Sequence, residues 1–149
     1  MPSSPAPLFI DTAAFFARFN ERATEHDRAR AVFDRIRSGD LQYGPLFTSR
    51  YVLSEFATLM LRKVGHRPAV TALNRIREAS SFNVLSVGGD AFDRTCEQFA
   101  RYDDQQISFV DHSSAVLADD RDIESVFTFD RADFRTLGFT VVPDDTDGL

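Results

Sequence analysis

Four acidic side chains stand at positions where their type and spacing could do chemistry. Three short apolar runs predict buried strands, at residues 8–10, 107–110 and 125–129. Each run is followed directly by an aspartate: Asp11, Asp111 and Asp130. If these strands are parallel neighbours, the three carboxylates lie at one edge of the sheet, beyond the carboxyl ends of the strands. Sheets of this kind bind their ligands at that edge.

The fourth acid, Glu55, lies within a helix that the sequence predicts over residues 51–64. It falls at the border of the apolar face formed by Val52, Phe56 and Leu59, which is a costly position for an unpaired charge. Four carboxylates brought together would repel one another strongly without a cation. Mg²⁺ and Mn²⁺ prefer oxygen ligands and activate water for phosphodiester hydrolysis. The acids therefore predict the divalent-metal site of a hydrolase.

Each of these acids also has a structural interpretation. Aspartate is a favoured N-cap, and Asp11, Asp111 and Asp130 each precede a predicted helix. Glu55 can equally be a partly exposed helix acid that pairs with an arginine. Spacing alone therefore leaves both metal binding and these structural roles open.

The elements that must position the acids alternate along the chain. Helical periodicity fills most of the intervals between predicted strands at residues 8–10, 46–48, 83–87, 107–110, 125–129 and 140–142. This alternation predicts one α/β domain over residues 1–149, with a mostly parallel sheet covered on both faces. The helix that follows residue 89 is expected to bury Phe92, Cys96 and Phe99. Residues 1–7 and 143–149 are expected to form loose tails.

Composition narrows the class of protein. The 149 residues are 43% hydrophobic and 27% charged, which suits one soluble domain with a core. The single cysteine, Cys96, and three widely spaced histidines exclude a disulfide framework and disfavour a zinc site. No apolar stretch suits a membrane span or a signal peptide, so a cytoplasmic protein is expected. The net charge of −6 argues against a broad basic surface for nucleic acid.

Other enzyme classes are disfavoured by missing motifs. The sequence contains no Gly-x-x-x-x-Gly-Lys loop, no Gly-x-Gly-x-x-Gly turn and no Gly-x-Ser-x-Gly elbow. A phospho-acceptor receiver domain would need an acidic pair after the first strand and a lysine late in the chain. Here Asp11 stands alone after the first strand, and the only lysine is Lys63.

With these residues in hand, the sequence resembles the PIN-domain nucleases, in particular the VapC-type toxins of prokaryotic toxin–antitoxin modules. Four stretches carry the resemblance in the order of the family, at residues 8–12, 48–55, 107–111 and 128–134. The similarity extends over residues 8 to 142. It implies a three-layer α/β/α fold with a central parallel sheet, and an endoribonuclease activity that depends on Mg²⁺ or Mn²⁺.

The resemblance also implies roles for particular residues. Asp11 and Asp111 would be the main metal ligands, and Glu55 and Asp130 would complete the acidic site directly or through water. Small hydroxyl residues would support this site at Thr12, Ser49 and Thr128. His112 stands where small residues are common in the family, so it is expected to alter the groove beside Asp111.

The implied partners are an RNA substrate, a second copy of the chain in a homodimer, and a cognate antitoxin that inserts into the active-site groove. The acidic charge favours one structured RNA, such as a tRNA or rRNA element, over broad RNA binding. The arginines of residues 28–37 could contact RNA or form a solvated helix face. The alternative to an enzyme is a non-catalytic PIN-like module that binds RNA or a protein.

Overall fold

The computed structural model describes residues 4–146, and its centre is a five-stranded sheet. The strands are β1 (Ala6–Ile10), β2 (Tyr43–Ser49), β3 (Phe82–Leu85), β4 (Ser125–Phe127) and β5 (Thr140–Val142). They lie in the order β3-β2-β1-β4-β5, and every neighbouring pair is parallel. All five strands therefore end at the same edge of the sheet, as expected for a parallel sheet.

Seven helices connect and cover the strands. They are α1 (Thr12–Phe19), α2 (His26–Ser38), α3 (Arg50–Lys63), α4 (His66–Glu78), α5 (Gly89–Arg101), α6 (Phe109–Asp119) and α7 (Arg131–Thr136). The chain builds outward from β1 to β3, then returns to β4 on the other side of β1. Right-handed crossovers then put α1–α4 on one face of the sheet and α5–α7 on the other. The predicted three-layer α/β/α fold is confirmed.

Aromatic packing fixes the first helix over the sheet. The ring of Phe15 is fully buried and lies 5.4–6.1 Å from the rings of Phe33, Phe56 and Phe82. These contacts join α1 to α2, α3 and β3. Burying a side chain of this size contributes about 1.5–3 kcal/mol. Because α1 begins directly after Asp11, the same packing holds the backbone of Asp11 in place.

The prediction of a strand at residues 107–110 is wrong. Ile107 is buried, but α6 begins at Phe109, and Oγ of Ser108 caps it by accepting a hydrogen bond from the backbone N–H of Asp111 at 3.1 Å. A short apolar run has the same appearance in a strand and in a buried helix. Residues 111–118 of α6 are all buried, so this helix lies within the core of the protein. Asp111 therefore lies in the first turn of a helix.

The predicted inner face of α5 is also wrong. Ala91 and Thr95 are the buried residues of this helix, whereas Phe92 and Phe99 are 41% and 48% exposed. Cys96 is exposed as well. The apolar residues are displaced by one position from the buried ones, which is about 100° around a helix. They form an exposed apolar stripe of Phe92, Cys96 and Phe99.

Parts of both predicted loose tails make contacts within the fold. Ala6 and Pro7 belong to β1, and the backbone N–H of Ala6 donates to the carbonyl of Gln42. Near the other end, Asp144 forms ion pairs with Arg28 and Arg131, and Asp145 pairs with Arg135. Residues 1–3 and 147–149 of the predicted loose tails lie outside the described residues. Within residues 4–146, no helix combines the length and apolar character that crossing a membrane requires.

Candidate metal centre

The ends of β1 and β4 place the first carboxylate. Asp11 occupies the N-cap position of α1, but its side chain caps no backbone N–H. Instead, its Oδ2 accepts a hydrogen bond of 2.8 Å from Oγ1 of Thr128, the residue after β4. Oγ1 of Thr128 in turn accepts from the backbone N–H of Asp130 at 2.9 Å. One threonine therefore connects Asp11 to the segment that carries Asp130.

The other acids come from helix starts and from the middle of α3. Ser108, rather than Asp111, caps α6, which leaves the Asp111 carboxylate available. Asp130 occupies the N-cap position of α7 without a side-chain cap bond, and Asp133 follows in the first turn. Because residues three apart on a helix are neighbours on its surface, the carboxylates of Asp130 and Asp133 lie close together. The capping interpretation therefore does not account for the side chains of Asp11, Asp111 or Asp130.

These acids meet in one cleft of about 330 Å³ at the carboxyl ends of β1 and β4. It is lined by five carboxylates, which we call the acidic cleft: Asp11, Glu55, Asp111, Asp130 and Asp133. Ligand oxygens of Asp111, Asp130 and Asp133 all lie within 4.8 Å of one another. The cleft lies between the ends of β1 and β4. The chain continues from β1 to β2 on one side of this point and from β4 to β5 on the other, so the strand order reverses here. Such a reversal is where open parallel sheets bind ligands.

Burial and mutual repulsion raise the pKa values of three of these acids. Burial raises the pKa of Asp11, although its hydrogen bond from Thr128 opposes the shift. Burial also raises the pKa of Asp111, and the charges of Asp11, Asp130 and Glu55 raise it further. Loss of hydration and the charge of Asp133 raise the pKa of Asp130. The cleft therefore favours either a proton or a cation among its carboxylates.

Asp133 was missed as a site residue by the reasoning from sequence. The sequence signal for Asp133 is its spacing of three residues from Asp130, because residues three apart lie on the same side of a helix.

The three hydroxyl residues that were predicted to support the site have different roles. Thr128 orients Asp11, and Thr12 lines the cleft. Ser49 instead caps α3 by accepting from the backbone N–H of Val52.

His112 does not line the acidic cleft. It is 1% exposed, and its Nδ1 lies 2.8 Å from Nε2 of Gln98 on α5. The rings of Phe99 and Tyr102 pack beside it at 5.8 and 5.3 Å. The expected change to the groove next to Asp111 is therefore not seen, because His112 joins α6 to α5 instead.

The residues of the acidic cleft fit a hard divalent cation. Three carboxylates already place oxygens close enough to share one ion, and carboxylate oxygens are the ligands that Mg²⁺ and Mn²⁺ prefer. Oδ1 of Asp11 is buried and accepts no hydrogen bond from residues 4–146. A buried carboxylate oxygen with a free lone pair is costly unless it has a partner. A cation would supply that partner and relieve the repulsion.

Replacing Thr128 with Val tests the support of Asp11. The variant keeps the shape of the side chain but loses both hydrogen bonds, so Asp11 is no longer oriented. Residues that orient metal ligands typically contribute about 10–100-fold to affinity, and we expect a loss of that size in a Mn²⁺ titration. Thr128→Ser should retain binding, as should Thr140→Val at an exposed position of β5. Equal Mn²⁺ affinity in Thr128→Val and the wild type would contradict this role.

A larger cavity of about 560 Å³ lies beside the first residues of β2 and β3. Its lining includes Tyr43 and Leu46 of β2, Phe82 at the start of β3, and Arg18 and Arg75. No aspartate or glutamate is among the described residues that line it. Without a carboxylate this cavity lacks the ligands that Mg²⁺ and Mn²⁺ prefer, so size does not identify the metal centre.

The comparisons with known proteins agree with this geometry. The family model of the PIN domain matches residues 8–139. The 23S rRNA-specific endonuclease VapC20 of Mycobacterium tuberculosis is 31% identical over 135 residues, which cover 91% of this chain and 97% of that protein. Ribonuclease VapC26 of the same species is 30% identical over 142 residues, which cover 91% of this chain and all of that protein.

Solved structures show the same fold. The crystal structure of Mycobacterium tuberculosis VapC20, described as a sarcin–ricin loop cleaving toxin, matches with a TM-score of 0.79 and 32% identity. The match covers 89% of this chain and 95% of that one. VapBC2 from Rickettsia felis matches with a TM-score of 0.67 over 91% of this chain, and at 12% identity it supports the fold alone. The chain thus belongs to the PIN-domain family and is a VapC-type nuclease.

Proposed function

We propose that this VapC-type ribonuclease hydrolyses RNA phosphodiesters with Mg²⁺ or Mn²⁺ held in the acidic cleft. The observation that carries the proposal is the convergence of five carboxylates at the sheet edge where β1 and β4 end. Without a cation these carboxylates would repel a phosphate group. The same arrangement would therefore account for both the proposed metal binding and the proposed metal dependence.

Different residues of the cleft have different parts in this proposal. Asp111, Asp130 and Asp133 would hold the ion, because their oxygens already lie together. Asp11 would add an oxygen that Thr128 keeps oriented, and Glu55 would face the same space from α3. When bound, the ion supplies positive charge for the scissile phosphate and lowers the pKa of water. Of the residues predicted from sequence, Asp11, Glu55, Asp111 and Asp130 keep their proposed catalytic and metal-binding roles, and Asp133 joins them.

A structured ribosomal RNA is the substrate class that similarity supports. The relative named as a 23S rRNA-specific endonuclease aligns with 91% of this chain. The net charge of −6 also disfavours general RNA binding, which depends on many cationic contacts to phosphates. We therefore propose cleavage of one structured element of rRNA, in the cytoplasm, rather than degradation of bulk RNA.

A homodimer and an antitoxin are the proposed protein partners. Exposed apolar stripes of the kind on α5 commonly mark protein interfaces, and a second copy of the chain would bury Phe92 and Phe99. A cognate antitoxin would act by occupying the acidic cleft and blocking RNA. The related VapC20 is described as a toxin, which supports an antitoxin as the second proposed partner.

Cleavage of total bacterial RNA tests the proposed activity. The protein is incubated with the RNA and Mg²⁺ or Mn²⁺, and the products are separated by size and mapped by sequencing of their ends. We expect discrete fragments from rRNA that disappear when EDTA removes the ion. Fragments that persist unchanged in EDTA would contradict the metal-dependent mechanism. Intact RNA together with retained RNA binding would favour the non-catalytic alternative.

A further inference from the structure

A second cavity, of about 380 Å³, continues from the acidic cleft along α3. The two cavities share Glu55 and Leu59. We call this second cavity the side groove, and its other lining residues are Tyr51, Ser54, Thr58, Arg62 and Val110. Of the five carboxylates of the acidic cleft, only Glu55 also lines the side groove. The negative potential therefore weakens along the groove with distance from the acidic cleft.

The spacing of the groove residues on α3 aligns them in one stripe. Tyr51, Glu55, Leu59 and Arg62 are three or four residues apart, which puts them on the same side of a helix. Arg62 lies about 10 Å beyond Glu55 along the helix axis, and Tyr51 lies about 6 Å from Glu55 in the other direction. The stripe therefore passes the acidic cleft with an aromatic residue at one end and a cation at the other.

Arg62 has the chemistry of a phosphate contact. Among the described residues that line the acidic cleft and the side groove, it is the one cation. Its side chain is exposed, and the described ion pairs do not include it. The guanidinium group offers a planar fork of donors that matches a phosphate.

Tyr51 has the chemistry of a stacking platform. It is half-buried, and its ring lies 6.5 Å from the ring of Phe109, the residue that begins α6. The contact with Phe109 limits the movement of the Tyr51 ring, which lines the side groove. Aromatic rings of this kind stack on unpaired bases, and each stack contributes about 1–3 kcal/mol to binding of single-stranded nucleic acid.

We propose that the side groove binds an unpaired RNA segment that flanks the scissile phosphate, with Arg62 contacting its backbone and Tyr51 stacking on a base. The inference rests on the proposed function, because continuity with the acidic cleft supplies the reason for RNA in the groove. Charge supplies a second reason, since Arg62 would offset the repulsion between phosphates and the five carboxylates. Both residues would thus position RNA without taking part in the chemistry.

Binding of a fluorescent RNA hairpin with an unpaired loop of 12 nucleotides tests the two residues separately from cleavage. Anisotropy is measured in the Asp111→Asn background, which removes one carboxylate and prevents cleavage during the titration. Arg62→Gln should weaken binding about tenfold and reduce the slope of log affinity against log salt by about 0.7, the value for one phosphate contact on a single strand. Arg62→Lys should restore most of that slope.

Tyr51→Leu should also weaken binding about tenfold, but it should leave the salt slope unchanged, because stacking releases no counterion. Arg77→Gln, at an exposed position of α4, is the matched control and should bind like the background protein. A melting temperature for each variant establishes that it is folded. Arg62→Gln with the affinity and slope of Arg77→Gln would overturn the inference.

A change in oligomeric mass with unaltered RNA binding in both groove variants would also overturn it, because the groove would then be a protein interface. Failure of the proposed function looks different. In that case the wild-type protein cleaves no RNA with either metal, although the groove variants still lose RNA binding. If the wild type cleaves RNA and the groove variants bind RNA normally, the proposed nuclease activity stands and the side groove is excluded as an RNA-binding site.

Discussion

The Asp111→Asn variant should lose metal-dependent RNA cleavage by at least about a hundredfold while it remains folded. Asp111 contributes an oxygen to the close cluster with Asp130 and Asp133, and the amide group of asparagine is a weaker and uncharged ligand for a hard cation. Asp11→Asn should behave similarly, because it removes the charge of the carboxylate that Thr128 orients. The loss is measured as the initial rate of fragment formation in the RNA assay.

The same substitution should stabilise the metal-free protein. Asp111 is 5% exposed and faces the charges of Asp11, Asp130 and Glu55, so its ionisation opposes folding. If removing this repulsion increases the free energy of unfolding by about 1 kcal/mol, Tm rises by about 2–4 °C for a chain of this size. Asp104→Asn, in the exposed turn before α6, is the matched control and should change neither cleavage nor Tm. Wild-type cleavage by both Asp11→Asn and Asp111→Asn would show that the site assignment is wrong.

Rising pH should destabilise the metal-free protein and strengthen its binding of Mn²⁺. The pKa values of Asp11, Asp111 and Asp130 are raised above 3.8 in the folded state. Below about pH 3.8 these acids are protonated in both the folded and the unfolded protein. As pH rises, the unfolded chain releases their protons at lower pH than the folded protein does. The stability that these acids contribute at low pH is therefore lost as pH rises through the raised pKa values.

Bound metal should reverse this loss. Carboxylates must be deprotonated to act as ligands, so a cation competes with the protons and binds more tightly at higher pH. Millimolar Mn²⁺ should raise Tm by several degrees at about pH 8 and by much less at about pH 5, where protons occupy the cleft. EDTA and Asp111→Asn are the controls. An increase in Tm that is equal at both pH values would place Mn²⁺ away from these acids.

The sheet and two of its acids were predictable because local signals agree with the fold. The apolar runs before Asp11 and Asp130 are strands, although β4 ends at Phe127, two residues earlier than predicted. In a parallel sheet, the residue after each strand lies at the same edge whatever connects the strands. The position of these acids therefore depends on the pattern of elements more than on exact boundaries.

Asp111 was placed in the right cleft for the wrong reason. The start of α6, rather than a strand end, brings it to the acidic cleft. The missed signal was Ser108 three residues before Asp111, a spacing typical of a helix N-terminus. Ile107, Phe109 and Val110 form a short apolar run, and such a run has the same appearance in a strand and at the start of a buried helix.

The remaining features depend on tertiary contacts that no local pattern specifies. Thr128 orients Asp11 across 117 positions of sequence, and only the pairing of β1 with β4 brings them together. Similarly, the exposed face of α5 was predicted to be buried because its apolar residues have helical spacing. Spacing predicts that a helix has an apolar face, but which surface covers that face is decided by packing.

Diffraction from crystals soaked in Mn²⁺ would test the central claim most directly, because anomalous scattering locates the ion without reference to activity. The proposed site predicts a strong peak in the acidic cleft, with oxygens of Asp111, Asp130 and Asp133 in its coordination sphere and Asp11 beside it. A peak elsewhere, or an acidic cleft that stays free of Mn²⁺ at millimolar concentration and about pH 8, would contradict the account.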